Sequence, residues 1–130
     1  MLTVRDIMTR EVLTVSPETT LREAMTLLAA RHVSGAPVVS GEKLVGMLTA
    51  TDLLAYPEQA ALEEHKVGEV MYRTPLVTLP ADAAVDAAAD LMKNLEIHRV
   101  LVTEHDRLVG IVSALDVAKA VAEHRLTAGA

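Results

Sequence analysis

Leu44-Val45-Gly46-Met47-Leu48-Thr49-Ala50-Thr51-Asp52 returns without a gap as Leu108-Val109-Gly110-Ile111-Val112-Ser113-Ala114-Leu115-Asp116, an offset of 64 residues. The same offset carries Thr14 onto Thr78. Upstream, Val4-Arg5-Asp6-Ile7-Met8 matches Val67-Gly68-Glu69-Val70-Met71 at an offset of 63, so the two copies differ by one inserted residue. Self-similarity over nearly the whole chain implies one supersecondary unit written twice. A copy of about 60 residues buries too little surface to be robust alone, so the two are expected to pack together around a pseudo-twofold axis.

Each copy reads as a helical turn, a short extended run, a helix, two strands and a closing helix. In the first copy, Thr3–Met8 is the turn, and Val12–Val15 is extended until Ser16-Pro17 breaks it. Thr20-Leu21-Arg22-Glu23 has capping-box spacing. Leu21, Ala24, Met25 and Leu28 then recur at helical intervals, predicting one buried face. Ala36–Val39 and Leu44–Leu48 read as strands around the turn Ser40-Gly41-Glu42-Lys43, and a last helix opens near Thr49. In the second copy Asp82 introduces a helix carrying Val85, Ala88, Ala89 and Met92, with strands at Val100–Thr103 and Leu108–Val112. Glu104-His105-Asp106 reads as a solvated hairpin turn. The repeats span 3–55 and 67–122, with 56–66 as linker.

The 130 residues suffice for a packed core without metals or disulfides. Cysteine is absent, which excludes disulfides, zinc–thiolate sites and thiol catalysis. Twelve Lys and Arg against 18 Asp and Glu give a net charge of -6, which argues against general phosphate-backbone binding. Two tyrosines are the only aromatics, too few for a platform stacking successive bases. No apolar run approaches the roughly 20 residues of a membrane span, and the N-terminus has no apolar signal core. A cytoplasmic protein without nucleic-acid or membrane partners is expected. The histidines, including His32, His65, His105 and His124, form no close-spaced ligand set, so no metal site is expected.

The quoted blocks, with the Asp-Ile-Met and Glu-Val-Met openings and Pro37-Val38-Val39, resemble a tandem pair of CBS domains, often called a Bateman module. Ile97-His98-Arg99-Val100-Leu101-Val102, leading to Gly110-Ile111-Val112-Ser113 and Asp116, is similar to a repeat of the gamma regulatory subunit of the AMP-activated protein kinase. The resemblance covers roughly residues 3–55 and 66–122. It implies an α+β fold of layered α/β character: two β-α-β-β-α repeats packed sheet to sheet, leaving two clefts. In this family such clefts commonly bind AMP, ADP, ATP or S-adenosylmethionine, and the pairs often dimerise. This chain resembles a stand-alone member.

Thr49 with Asp52, and Ser113 with Asp116, fall where strands pass into helices. By spacing alone each is a capping box whose Asp serves the helix's own N–H donors. By resemblance, the Asp accepts from both ribose hydroxyls while the Thr or Ser reaches ribose or phosphate. An ionised carboxylate has two oxygens for a vicinal diol, and a helix N-terminus favours phosphate. His98 and Arg99, by resemblance, face the phosphates, where a guanidinium makes charge-assisted bonds. The bland reading pairs Arg99 with Glu96 or Glu104 on the surface. The first copy has uncharged Ser34 and Gly35 at these positions, so the two sites are expected to differ. The small run Ser34-Gly35-Ala36-Pro37 leaves room for an adenine ring, and Thr14 and Thr78 lie where backbone groups of similar proteins read its edge. Arg10 and Arg73, after the two Met residues, are candidates for phosphate or for solvated surface.

Three functions follow. The leading one is a regulatory module sensing adenine nucleotides and signalling by a change of conformation or partner affinity, with no required cofactor and with Mg²⁺ entering only through bound phosphates. The second is a dimeric interaction module with empty clefts, serving an unidentified target protein; an S-adenosylmethionine binder is a variant of the first. The third, an enzyme, is disfavoured: the sequence offers no nucleophile with a recognisable base, no Gly-rich phosphate loop and no metal cluster. A homodimer is the expected assembly.

Overall fold

The computed structural model describes residues 2–56, 59–73 and 76–123. In chain order its elements are α1 (Val4–Ile7), α2 (Leu21–Arg31), β1 (Gly35–Ser40), β2 (Lys43–Thr49), α3 (Ala50–Leu53), α4 (Gln59–Glu64), α5 (Val67–Val70), β3 (Thr78–Pro80), α6 (Val85–Leu95), β4 (Arg99–Glu104), β5 (Arg107–Ser113) and α7 (Ala114–Ala122). The fold is mixed α+β. The described residues fall into two compact units, one within Leu13–Leu76 and the other within Met1–Val12 and Val77–Ala130. The first is the Asp52 unit and the second the Asp116 unit. Each unit takes its short opening helix from the other sequence repeat: α5 lies in the Asp52 unit and α1 in the Asp116 unit.

The ladders follow one scheme. In the Asp116 unit β3 runs parallel to β4, and β4 antiparallel to β5. Beyond β5, Thr9 and Ile111 exchange both backbone hydrogen bonds, at 2.8 and 2.9 Å. In the Asp52 unit β1 and β2 form the antiparallel pair, Val15 bridges Val38 in parallel, and Met47 and Tyr72 exchange two bonds of 2.8 Å. Both hairpins carry a register irregularity at the same offset, Val38/Val39 and Val102/Thr103. Paired residues share a face and neighbours alternate. One face of each ladder therefore meets its helices, burying Ala36, Val38 and Leu48 against Leu21, Ala24 and Leu28, or Val100, Val102 and Val112 against Ala88 and Met92.

The helices depart from sequence expectation in two places. Met25 is 39% exposed; the buried stripe of α2 is Leu21, Ala24 and Leu28. Asp82 does not cap α6, whose N-cap is Ala84 without a side-chain bond. By contrast Thr20 caps α2 as its spacing requires, its hydroxyl accepting from the Glu23 N–H at 3.1 Å.

The recurrence of both Leu-Val-Gly and h-Met has one steric cause. A Cβ on Gly110 would lie 2.6 Å from Met8 Sδ and 2.9 Å from the Thr9 carbonyl; on Gly46, 2.7 Å from Met71 Sδ and 2.8 Å from the Tyr72 carbonyl. Only glycine lets the opening segment of one repeat close against the ladder of the other. The carbonyl is bonded in the ladder and cannot retreat cheaply. Gly110→Ala and Gly46→Ala are each expected to lower stability by about 1–3 kcal/mol, read from urea denaturation, as overpacked substitutions do. An unchanged midpoint in both variants would remove the close approach as a constraint.

Candidate functional site

At the end of β5 the Ser113 N–H donates to Asp116 Oδ2 at 2.8 Å, and Ser113 Oγ accepts from the Asp116 N–H at 3.0 Å. The end of β2 repeats this: Thr49 N–H to Asp52 Oδ2 at 2.9 Å, and Asp52 N–H to Thr49 Oγ1 at 3.3 Å. Both are reciprocal capping boxes. Each box uses one carboxylate oxygen. Oδ1 of Asp52 and of Asp116 has no partner among the described residues, and both side chains are half-buried. Each carboxylate thus caps its helix with one oxygen and leaves the other free among the described residues.

The ladder register sets what stands beside each box. Arg99 is the direct partner of Ser113, Leu101 of Ile111, and Thr78 of Leu101. These five residues share the face opposite the unit's helices, and Leu101 accordingly stands apart from the helix-side core. In the Asp52 unit Gly35 partners Thr49 and Pro37 partners Met47, with Thr14 beside Pro37 by its Val15–Val38 bridge. The structure therefore brings Thr78, Arg99 and Ser113 onto one face, and Thr14, Gly35, Pro37 and Thr49 onto the equivalent one.

Strand alternation separates the remaining candidates. Ala36 is fully buried in the helix-side core, as Val100 is at the equivalent position. Ser34 is exposed, and its carbonyl accepts from the Ala50 N–H at 2.7 Å. His98 is exposed, and its carbonyl accepts from Ala114 N–H at 2.9 Å. The His98 side chain lines an open depression of about 580 Å³ between α6 and α7, with Met92, Lys93, Ile97 and Val117 on its walls. His98 lies in the bend before β4, and Arg99 is the strand's first residue.

Arg99 itself is exposed and has no side-chain partner among the described residues. The surface pairing with Glu104 is not made, because Glu104 bonds Arg5 instead. That hydrogen bond holds the Glu104 carboxyl below the usual range and raises the Arg5 guanidinium. Arg73 Nη2 donates to the Gly68 carbonyl at 3.0 Å. Arg10 is exposed near Glu104. Among the described residues no group of three or more His, Asp or Glu could hold a metal ion, and no helix is long and apolar enough to cross a membrane.

Sequence reading missed Met47 and Tyr72 in one face, and Leu101, Ile111 and Thr9 in the other. Met47, Leu101 and Ile111 were reachable by alternation from Thr49, Arg99 and Ser113. Tyr72 and Thr9 were not, because each belongs by sequence to the other repeat.

The CBS domain family model matches residues 4–58 and 67–123. CBS domain-containing protein YhcV of Bacillus subtilis is 38% identical over 119 residues, 91% of this chain and 84% of that protein. Among solved structures, CBSX2 in complex with AMP matches with a TM-score of 0.81 and 28% identity, over 96% of this chain and 99% of that one. The CBS domain pair of protein MJ0100, in complex with 5′-methylthioadenosine and S-adenosyl-L-methionine, matches with a TM-score of 0.74 and 27% identity, over 95% and 98%. Other curated relatives are longer: the chain spans 39% of an uncharacterized Methanocaldococcus jannaschii protein and 22% of a Thermoplasma acidophilum inosine-5′-monophosphate dehydrogenase. A match over that fraction brings none of the dehydrogenase's chemistry with it.

The capping geometry separates structural from ligand roles. Ser113→Ala removes the acceptor of the Asp116 N–H and is expected to cost about 1 kcal/mol in urea denaturation. Asp116→Asn retains a carbonyl oxygen for the Ser113 N–H and is expected to cost less. Equal losses in the two would mean that the negative charge, not the cap, holds this corner.

Proposed function

We propose that this chain, which belongs to the CBS domain family, is a regulatory module that binds an adenine nucleotide on the Asp116 unit and signals by a change of conformation or partner affinity. One observation carries the reading: an unpartnered guanidinium, Arg99, stands directly opposite the Ser113 that caps α7, with Asp116 Oδ1 unused beside it. In a protein of net charge -6, a free cation on an otherwise uncharged strand face suits a phosphate. Asp116 Oδ1 accepts from the ribose hydroxyls. Ile111, beside the buried Leu101, gives the base an apolar bed, with Thr78 at its edge. The helix N-terminus at α7 adds favourable potential for the anion.

No reactive chemistry is assigned to these groups. Mg²⁺ enters only on the phosphates of a bound ADP or ATP. Ligand shifts the module between states solely by differential affinity, and binding near the strand–helix corner biases how α7 meets its surroundings. Exposed Leu95, Leu115 and Val121 on α6 and α7 support a homodimer or a target protein covering these helices. The cytoplasm is the compartment we propose.

Thermal unfolding of nucleotide-stripped protein with AMP, ADP, ATP, S-adenosylmethionine and GTP tests this reading. A ligand at 100 times its Kd adds about 2.7 kcal/mol of stability. Adenine nucleotides are expected to give the largest shifts, and Arg99→Ala to weaken AMP about tenfold or more while leaving adenosine unchanged. AMP binding that ignores both Arg99→Ala and Asp116→Asn would overturn the assignment.

A further inference from the structure

His98 has no part in the nucleotide reading, yet it lines the depression of about 580 Å³ between α6 and α7. That volume is in the range of small-molecule sites. The chain turns at Glu96, a C-cap with φ of 55°, and the Ile97 N–H bonds back to the Met92 carbonyl at 3.0 Å. This sets Ile97 and His98 beside the end of α6, while the start of α7 supplies Ala114 and Val117. Met92, Ile97 and Val117 make the walls apolar, and Ala89 and Ala114 are too short to fill the space. Lys93 and Glu96, both exposed, complete the lining with no side-chain partner among the described residues. They do not pair with each other, although three positions apart on a helix is within reach. The 64-residue offset puts Met25, Ala29, His32 and Ser34 at the positions of Ala89, Lys93, Glu96 and His98. Met25 brings a long side chain where Ala89 leaves space, and the lysine and glutamate are both replaced. The combination of space and opposite charges is therefore particular to the Asp116 unit.

We propose that this depression is a ligand site separate from the nucleotide face, and that it takes a free α-amino acid with a branched apolar side chain. The ligand's tail lies on Met92, Ile97 and Val117, in the space above Ala89. Its carboxylate accepts from the Lys93 ammonium and from a ring N–H of His98, and its ammonium donates to the Glu96 carboxylate. The C-terminal end of α6 adds negative potential for that ammonium. A zwitterion satisfies both charges of the rim. An apolar acid would set its carboxylate beside Glu96, and an apolar amine would set its ammonium beside Lys93, with nothing in return. The depression lies on the helix side of the ladder and the nucleotide face on the other, so the proposal does not depend on nucleotide binding. Leu95 and Leu115, assigned above to a protein partner, are not among its lining residues.

Calorimetry on nucleotide-stripped protein compares L-leucine with 4-methylpentanoate and 3-methylbutylamine, which carry the same tail with one charge each. Leucine is expected to bind saturably and at least about tenfold more tightly than either, the scale of one charge-assisted hydrogen bond. Glu96→Gln is expected to weaken leucine about tenfold and to leave 4-methylpentanoate no weaker. Ala89→Met places the Asp52 unit's own residue in the depression. It is expected to abolish leucine binding while the urea midpoint and AMP binding stay as in wild type. Leucine binding at wild-type strength in both Glu96→Gln and Ala89→Met overturns the proposal, as does the absence of saturable binding at millimolar leucine. The nucleotide reading fails separately, through Arg99→Ala and Asp116→Asn.

Discussion

Everything in the two units hangs on a backbone approach too close for any side chain but hydrogen. Where Gly46 and Gly110 sit, the next segment's methionine and carbonyl occupy the space a Cβ would need. That approach lets Tyr72 and Thr9 complete the ladders as edge residues with two hydrogen bonds each. Because the edge comes from the other repeat, neither repeat contains all the parts of one unit. Duplication is thus a requirement of the architecture: a lone copy would expose the last strand of its ladder and the apolar pocket that Val4 or Val67, both fully buried, fills.

Helix capping and ligand reading need not compete for the same carboxylate. A carboxylate has roughly four lone-pair directions on two oxygens, and a cap consumes one oxygen. In both units the backbone N–H fixes Oδ2 at 2.8 or 2.9 Å, which locks the side chain and aims Oδ1 without further support. The cap therefore fixes the orientation in which the proposed ligand role would use Oδ1. For this reason a Thr-x-x-Asp or Ser-x-x-Asp spacing, ambiguous on paper, gains rather than loses meaning once the box is seen to form.

Much of this was legible in the residues. The 64-residue offset located both hairpins, both capping boxes and the strand–helix corners, because ladders and caps depend on local spacing that duplication preserves. What lay beyond reach depended on pairing across the chain. His98-Arg99 reads as one charged pair in sequence, yet His98 lies in the bend before β4 and lines the depression beside α6 and α7, while Arg99 opens the strand opposite Ser113. Ala36 sits within a run of small residues, but its parity places it in the core with Val38 and Leu48. Glu104 was available to Arg99 until Arg5, some hundred positions away along the chain, took it. Tyr72 entered its face only through the exchange of opening segments, which no periodicity within one repeat records.

The asymmetry between the faces has a physical logic of its own. After duplication, both rows start with the same backbone and the same caps, so divergence has to act through the few positions whose side chains point away from the helices. Two of these differ in chemical character: Arg99 against Gly35 at one end of the face, Thr9 against Tyr72 at the other. A cation favours a charged tail, and an aromatic edge favours the base itself. The two faces therefore present different chemistry on one backbone plan.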